Sequence, residues 1–345
     1  MLTPPDLAPD TILAALREAY ALPAARATFL PLGADINTFV FRVEAGDAAR
    51  DGGAAYFLKL RRGDFDAIVV DVPAFLHAHG IRQVMAPLAT TSGGRWVRAH
   101  GYTWILYPFM AGVTGYEVAL ADDQWVALGA CLRGVHTAAL PPTLADRLPR
   151  EEYSSRWRDA VRGYQRQVAK SDFADPVAAR MAALWTAQRH EIEAIVSRAE
   201  RLAQALRGRA NHLALCHGDL HPGNILLAAD GALAIVDWDQ PILAPKEHDL
   251  MAVGAGLGFV RETPHEHALF YRGYGPAAVD PVALSYYRYE RIAADLAAYG
   301  EQIFETRGGV EDREQGLAQL AAQFRPGNVV PAAHRTYERA PRMRS

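Results

Sequence analysis

The sequence predicts an α+β chain in two lobes, the first built on an antiparallel sheet and the second larger and mainly helical. Three observations lead there. Apolar runs of strand length, joined by short polar turns, fill residues 28–43, 54–60 and 95–109. From Asp122 onward the spacing turns helical, with Trp125, Leu128, Leu132 and Val135 in register up to His136. Residues 213–239, LALCHGDLHPGNILLAADGALAIVDWD, then return a polar loop and a strand pair to the midst of the helices. The expected division is residues 1–108 and 109–345, with a helical insertion at about 150–208.

In the first lobe, residues 6–20 predict a helix with Leu7, Ile12, Leu13 and Leu16 apolar, ended by Pro23. Residues 28–43 read as strand, turn, strand; Gly33 permits a tight bend, and Asn37 and Thr38 add small polar donors. Residues 54–60, AAYFLKL, alternate so that Phe57 and Lys59 share one face. An ammonium in the middle of an apolar strand is costly without an anion. Lysine occurs only at 59, 170 and 246 in this arginine-rich chain, so its choice at 59 is informative. Asp64, Asp66 and Asp71 lie in the helical stretch that follows, and Asp66 is the expected carboxylate partner. Residues 95–109 form a second hairpin, turning at His100-Gly101 and ending in Tyr107, Pro108, Phe109 and Met110.

In the second lobe, His136 reads as a packing or capping residue at a helix end, and residues 177–206 as one amphipathic run. The pair 225–227 and 232–236 is a hairpin turning at Asp230-Gly231, followed at once by Asp237 and Asp239. Asp249 sits at a predicted helix start, where it either braces the preceding loop or caps the helix. Residues 285–292, SYYRYERI, begin another helix, and the chain after about 331 is expected to fray.

The chemistry concentrates in the polar loop. His217, Asp219, Leu220 and Asn224 match the H-x-D-L-x-x-x-N catalytic loop of kinases, and Asp237 stands where a metal-binding Asp follows a hairpin. A lone HGD carries little; its conjunction with Asn224 and Asp237 carries the reading. Phosphoryl transfer needs oxygen ligands for a cation and a carboxylate aimed at the attacking hydroxyl, and little covalent chemistry from the protein. Asp219 is then the candidate catalytic carboxylate, Asn224 and Asp237 the Mg²⁺ ligands, and Lys59 the phosphate-binding lysine. The turn with Gly33, Asn37 and Thr38 is a candidate cover for ATP phosphates, and residues 107–110 are expected to line the base pocket. Asp239, Glu247 and Tyr286 are candidates for contact with an amine-bearing acceptor. No long, Ser/Thr-bearing activation segment follows directly after Asp239, and Gly218 stands where a kinase keeps an arginine, so phosphorylation-gated activity is not expected.

Composition narrows the classes. A net charge of −3 and no basic run argue against a general nucleic-acid or anionic-membrane binder. Cys131 and Cys216 lack metal-ligand spacing and are expected to be buried and inert. The N-terminal MLTPPDLAPD has neither a basic segment nor an apolar core, so no signal peptide is expected and the chain is expected to be cytoplasmic. Nothing points to a protein partner.

HGDLHPGNIL followed by IVDWD resembles the aminoglycoside phosphotransferase family, which shares the protein-kinase fold and includes choline-kinase-like enzymes. Within it, GADINTF, YFLKL, DWDQPILAPKEHDLM and ALSYYRYERIAADLAAYG resemble the spectinomycin phosphotransferases. The resemblance runs from the Gly33 turn to roughly residue 330. It implies transfer of the ATP γ-phosphoryl group to a hydroxyl of a cationic aminocyclitol, assisted by Mg²⁺. It departs from kinases in Trp238-Asp239, which replaces Phe-Gly, and in the lack of a visible Glu partner for Lys59. Choline, thiamine, a sugar or another aminoglycoside as acceptor remain alternatives, as does an inactive binding module.

Overall fold

The computed structural model describes residues 4–32, 37–46, 54–209, 212–253 and 263–340. The chain divides into two compact units. One takes in Met1–Leu120, Ala138–Leu148 and Gly223–Pro241; the other takes in Ala121–Thr137, Pro149–Pro222 and Ile242–Ser345. A single cut at 108 therefore does not describe them: the hairpin after Asn224 pairs with a strand before residue 120, which draws a late segment into the first unit.

The first unit is organised by an antiparallel sheet of β1 (Ala24–Leu30), β2 (Thr38–Ala45), β3 (Ala55–Arg62), β4 (Val97–Ala99) and β5 (Tyr102–Pro108), ordered β1-β2-β3-β5-β4. Residues opposite one another in such a ladder share a face. Phe39, Phe41, Leu58, Leu60, Trp104 and Leu106 therefore make one apolar face, which packs with Ile12 and Leu16 of the helix Pro9–Tyr20. Lys59 lies between Val40 and Ile105 on the opposite face, which also carries Arg61 and Tyr107.

Five short strands follow: β6 (Gly112–Thr114), β7 (Ala214–Cys216), β8 (Ile225–Ala228), β9 (Leu233–Ile235) and β10 (Ile242–Ala244). β6, β8 and β9 form a three-stranded sheet in the first unit, and β7 pairs with β10 in the second. The Asp230-Gly231 turn joins β8 to β9, as the sequence predicts.

The second unit packs helices around Pro281–Phe304, which Asp280 caps by accepting from Val282 N at 2.8 Å. Two expectations are corrected here. The run 177–206 is two helices, Pro176–Ala187 and Arg189–Arg207, because the backbone turns at Gln188 and brings both apolar faces into one core. Residues 329–339 do not fray: Val329–Arg339 is a helix capped by Asn328, with Val329, Val330, Ala332 and Ala333 buried. Its apolar stripe is made of small residues, which the Arg- and Ala-rich composition hides. Among the described residues, no helix is long and apolar enough to cross a membrane.

Candidate active site

In the sheet unit, Lys59 meets its anions on the hairpin strand-end and not on the helix that follows β3. The residue is 8% exposed, and Nζ donates to Asp237 Oδ1 at 2.8 Å and to Asp239 Oδ2 at 2.7 Å. Arg61 adds a second cation to Asp239 at 3.3 Å. Burial alone would lower the Lys59 pKa, but the two carboxylates outweigh it and hold the ammonium well above its ordinary value. Half-buried Tyr107 shares this face, and burial pushes its phenol well up against the opposing pull of Lys59.

Asp237 follows β9 with a left-handed φ of 63°, a conformation that aspartate tolerates better than most residues. The ladder continues one step past β9, where Val236 N donates to Asn224 O at 3.0 Å. Asn224 and Asp237 are thus brought to the same end of the β8–β9 pair. An amide oxygen and a carboxylate placed together suit a hard cation such as Mg²⁺, and the Lys59 ammonium on Asp237 already marks the place as attractive to positive charge.

Asp66 is corrected as the Lys59 partner. It is held at the start of the helix Ile68–Ala78, accepting from Ile68 N at 2.9 Å, and Arg147 bridges it to Asp71 at 3.1 and 2.8 Å. Asp239, expected near the acceptor, instead belongs to Lys59 and Arg61. Asn37 is exposed and takes Arg62 N on its carbonyl at 2.8 Å, and Thr38 opens β2 opposite Arg61. Gly33 lies outside the described residues. Tyr107 and Pro108 end β5, and half-buried Phe109 and Met110 follow, with the Arg42 guanidinium over the Phe109 ring at 4.9 Å.

In the helical unit, the loop after β7 bends at Gly218, whose φ of 86° favours glycine. The bend points two successive N–H groups at one carboxylate: His217 N and Gly218 N donate to Asp249 at 2.8 and 3.2 Å. Asp249 therefore braces the loop, which resolves the choice between brace and cap. Burial raises its pKa, but the hydrogen bond and charge of His136, with His248 and His217, bring it down to about 2. Inside the loop, Asp219 N donates to His217 Nδ1 at 3.2 Å.

The Asp219 carboxylate is paired with Arg291 from the helix Pro281–Phe304 and lies 3.8 Å from His221 Nε2. Burial raises the Asp219 pKa, but Arg291, then His221 and His217, hold it below the usual carboxylate range. Arg291 is itself oriented by Asp295 at 3.0 Å, and Gln323 donates to the other Asp295 oxygen at 2.8 Å. The result is an ionised carboxylate in a fixed place, suited to orient a hydroxyl and accept its proton. Sequence reading missed Arg291; the Arg291–Asp295 spacing of one helical turn was the only local signal.

Glu247 and Tyr286 are corrected as acceptor contacts. Glu247 is 3% exposed, takes Lys246 Nζ at 2.8 Å and accepts from Asp280 N at 2.9 Å, so it ties two helix starts together. Tyr286 is 2% exposed and packs edge-on against Tyr153 and Tyr287 in the helical core.

A buried lysine anchored by post-hairpin carboxylates and a glycine-bent loop carrying an ionised aspartate mark a phosphotransferase of the kinase type. A family model described as a phosphotransferase enzyme family (APH) matches residues 30–291, and the chain belongs to that family. Among solved structures, it is similar to spectinomycin phosphotransferase APH(9)-Ia in complex with ADP and spectinomycin, with 32% identity, coverage of 97% of this chain and 100% of that one, and a TM-score of 0.89. The AMP-bound complex of the same enzyme gives 31% identity, 95% and 98% coverage and a TM-score of 0.85. An aminoglycoside phosphotransferase from Alicyclobacillus acidocaldarius shares the fold at 15% identity, 97% and 98% coverage and a TM-score of 0.59. Among the curated proteins compared, none matches.

Proposed function

We propose that the chain transfers the γ-phosphoryl group of ATP to a hydroxyl of an aminocyclitol antibiotic of the spectinomycin class. The observation that carries this reading is the end-to-end similarity to spectinomycin phosphotransferase, which includes the helical unit as well as the sheet unit. A catalytic core alone is built for the phosphates and cannot choose an acceptor.

Asp219 orients the acceptor hydroxyl and takes its proton as the new O–P bond forms and the bond from the γ-phosphorus to the bridging oxygen breaks, with ADP as the leaving group. The Arg291 guanidinium keeps that carboxylate ionised, so it is ready as an acceptor at neutral pH. Lys59 holds the nucleotide phosphates, exchanging part of its carboxylate pairing for phosphate oxygens. Asn224 and Asp237 would hold Mg²⁺, which when bound supplies positive charge to the phosphates. Tyr107 to Met110 remain the proposed lining for the base, and Asn37 with Thr38 the proposed cover for the phosphates.

The test is ADP release with Mg²⁺-ATP across spectinomycin, kanamycin, streptomycin, hygromycin, choline and thiamine. Turnover with spectinomycin alone is expected. Turnover confined to another acceptor would retain the phosphotransferase and discard the substrate. Nucleotide binding with no turnover on any acceptor would contradict the assignment of Asp219.

A further inference from the structure

The guanidinium that keeps the candidate catalytic carboxylate ionised also occupies it. We propose that Arg291 is a specificity-determining plug: it covers Asp219 until a cationic acceptor displaces it toward Asp295 and Gln323, so that water and neutral alcohols make poor acceptors. This rests on the reading of Asp219 given above.

Three observations, all within the helical unit, carry the proposal. The first is position. Arg291 Nη1 donates to Asp219 Oδ1, on the group that must take the acceptor's proton. A hydroxyl approaching this carboxylate therefore meets a guanidinium already in place.

The second is the exchange that follows. The Asp219 and Arg291 side chains are only 26% and 24% exposed, so water compensates little of their charge. Taking the cation off such a carboxylate is costly unless another cation arrives. An ammonium carried by the acceptor supplies that charge, whereas water or a neutral alcohol does not. A ligand shifts an equilibrium only by its preference for one of the two states, and here the preference is set by charge.

The third is that the displaced guanidinium has a place to go. Arg291 and Asp295 lie one turn apart on Pro281–Phe304, and Arg291 Nε already donates to Asp295 Oδ1 at 3.0 Å. Gln323, at the end of the helix Val310–Gln323, donates through Nε2 to Asp295 Oδ2 at 2.8 Å. A carboxylate only accepts, which fixes the amide with Nε2 toward Asp295. Gln323 Oε1 is buried and, among the described residues, has no hydrogen-bond partner. A buried amide oxygen left in that condition is uncommon. Turning the guanidinium about its stem carries its outer N–H groups from Asp219 toward Asp295 and this acceptor. The catalytic loop itself does not move.

A permanent strut between Asp219 and Asp295 is the competing reading. It accounts for the ion pairs and leaves the orphaned Gln323 oxygen unexplained. The two readings differ most without an acceptor. There a water oxygen bonds to the γ-phosphorus, its proton passes to Asp219, and the bond to the bridging oxygen breaks to release ADP and inorganic phosphate. A plug suppresses that reaction, and a strut supports it.

The experiment compares wild type, Arg291→Met, Arg291→Lys and Gln323→Met, with Asp219→Asn as the reference for the catalytic assignment. ADP release is measured with Mg²⁺-ATP alone, with glycerol and with spectinomycin, and the spectinomycin Kd by calorimetry. Arg291→Met is expected to raise the ratio of acceptor-free to spectinomycin-dependent ADP release about tenfold, to admit glycerol, and to tighten spectinomycin binding several-fold. Arg291→Lys, a cation without the planar fork, should fall between. Gln323→Met should raise the spectinomycin KM about threefold without raising hydrolysis, and it decides the matter if the methionine variant at 291 does not fold. An unchanged ratio in Arg291→Met, with both rates falling together, would overturn the proposal, as would a wild-type KM in Gln323→Met. If wild type uses another acceptor and not spectinomycin, the substrate reading fails and acceptor-free hydrolysis still decides the plug. If Asp219→Asn retains turnover, the catalytic reading fails, and the calorimetric Kd of Arg291→Met still decides whether the guanidinium competes with the acceptor.

Discussion

The two units hold their charged groups in opposite ways. At the Lys59 face of the sheet, Lys59, Arg61, Asp237 and Asp239 are one another's partners, and the Asp237 side chain keeps 47% of its surface exposed. In the helical unit, Asp249 is fully enclosed and its two oxygens are shared among a histidine and two backbone N–H groups. Partners of the first kind can be exchanged for a ligand's phosphates and a cation. Those of the second kind cannot leave without exposing a buried charge. The sheet unit is arranged to receive, and the helical unit to hold still.

If that contrast is right, substitutions should divide into binding and turnover effects. The largest effect is expected for Asp219→Asn, which keeps the size of the side chain and removes the proton acceptor. It should cut kcat by about 1,000-fold while leaving ATP binding intact, measured by ADP release and titration calorimetry. Lys59→Met should act on the other side, weakening Mg²⁺-ATP binding by about 100-fold and leaving two carboxylates without their ammonium. Undiminished ATP affinity in that variant would break the comparison at its sheet half.

Asp249 sharpens the helical half. Its pKa near 2, against an ordinary 3.8, means that the folded state prefers the ionised form. The stabilisation is present above the ordinary value and is lost as pH falls from about 4 to about 2, on the order of 2 kcal/mol in all. Urea midpoints should therefore fall more steeply over that range in wild type than in Asp249→Asn. Parallel curves would remove the carboxylate from the brace.

A smaller effect is expected at Arg291. Removing the guanidinium as Arg291→Met should let the Asp219 pKa rise, because burial would then act with less opposition. The acid limb of the kcat/KM profile should move to higher pH, since the ionised carboxylate is the active form. An unmoved limb would mean that another group titrates there.

What could be read in the sequence follows the same contrast. The placement of Lys59 on one sheet face, and of Asn224 and Asp237 at one end of a hairpin, was legible because alternation and turn chemistry fix direction there. The Lys59 partner was not legible. The sequence points to the adjacent helix, while the carboxylates arrive from residues 237 and 239 after the β8–β9 hairpin. The bracing of Asp219 was the least legible. Arg291, His136 and Tyr274 reach the loop only through helix crossings, and no local pattern announces which helices will cross. Glu247 failed for a related reason: closeness in sequence to Asp237 suggested the site, while burial and Asp280 N took its carboxylate elsewhere.

The most direct test titrates Mg²⁺-ATP into Lys59→Met and Asp219→Asn side by side and measures kcat with spectinomycin in both. The expected result is a crossing: the lysine variant loses affinity, and the aspartate variant loses turnover while binding ATP like wild type. Equal losses of affinity in the two variants, or turnover surviving in Asp219→Asn, would contradict the division between a receiving sheet and a fixed catalytic loop.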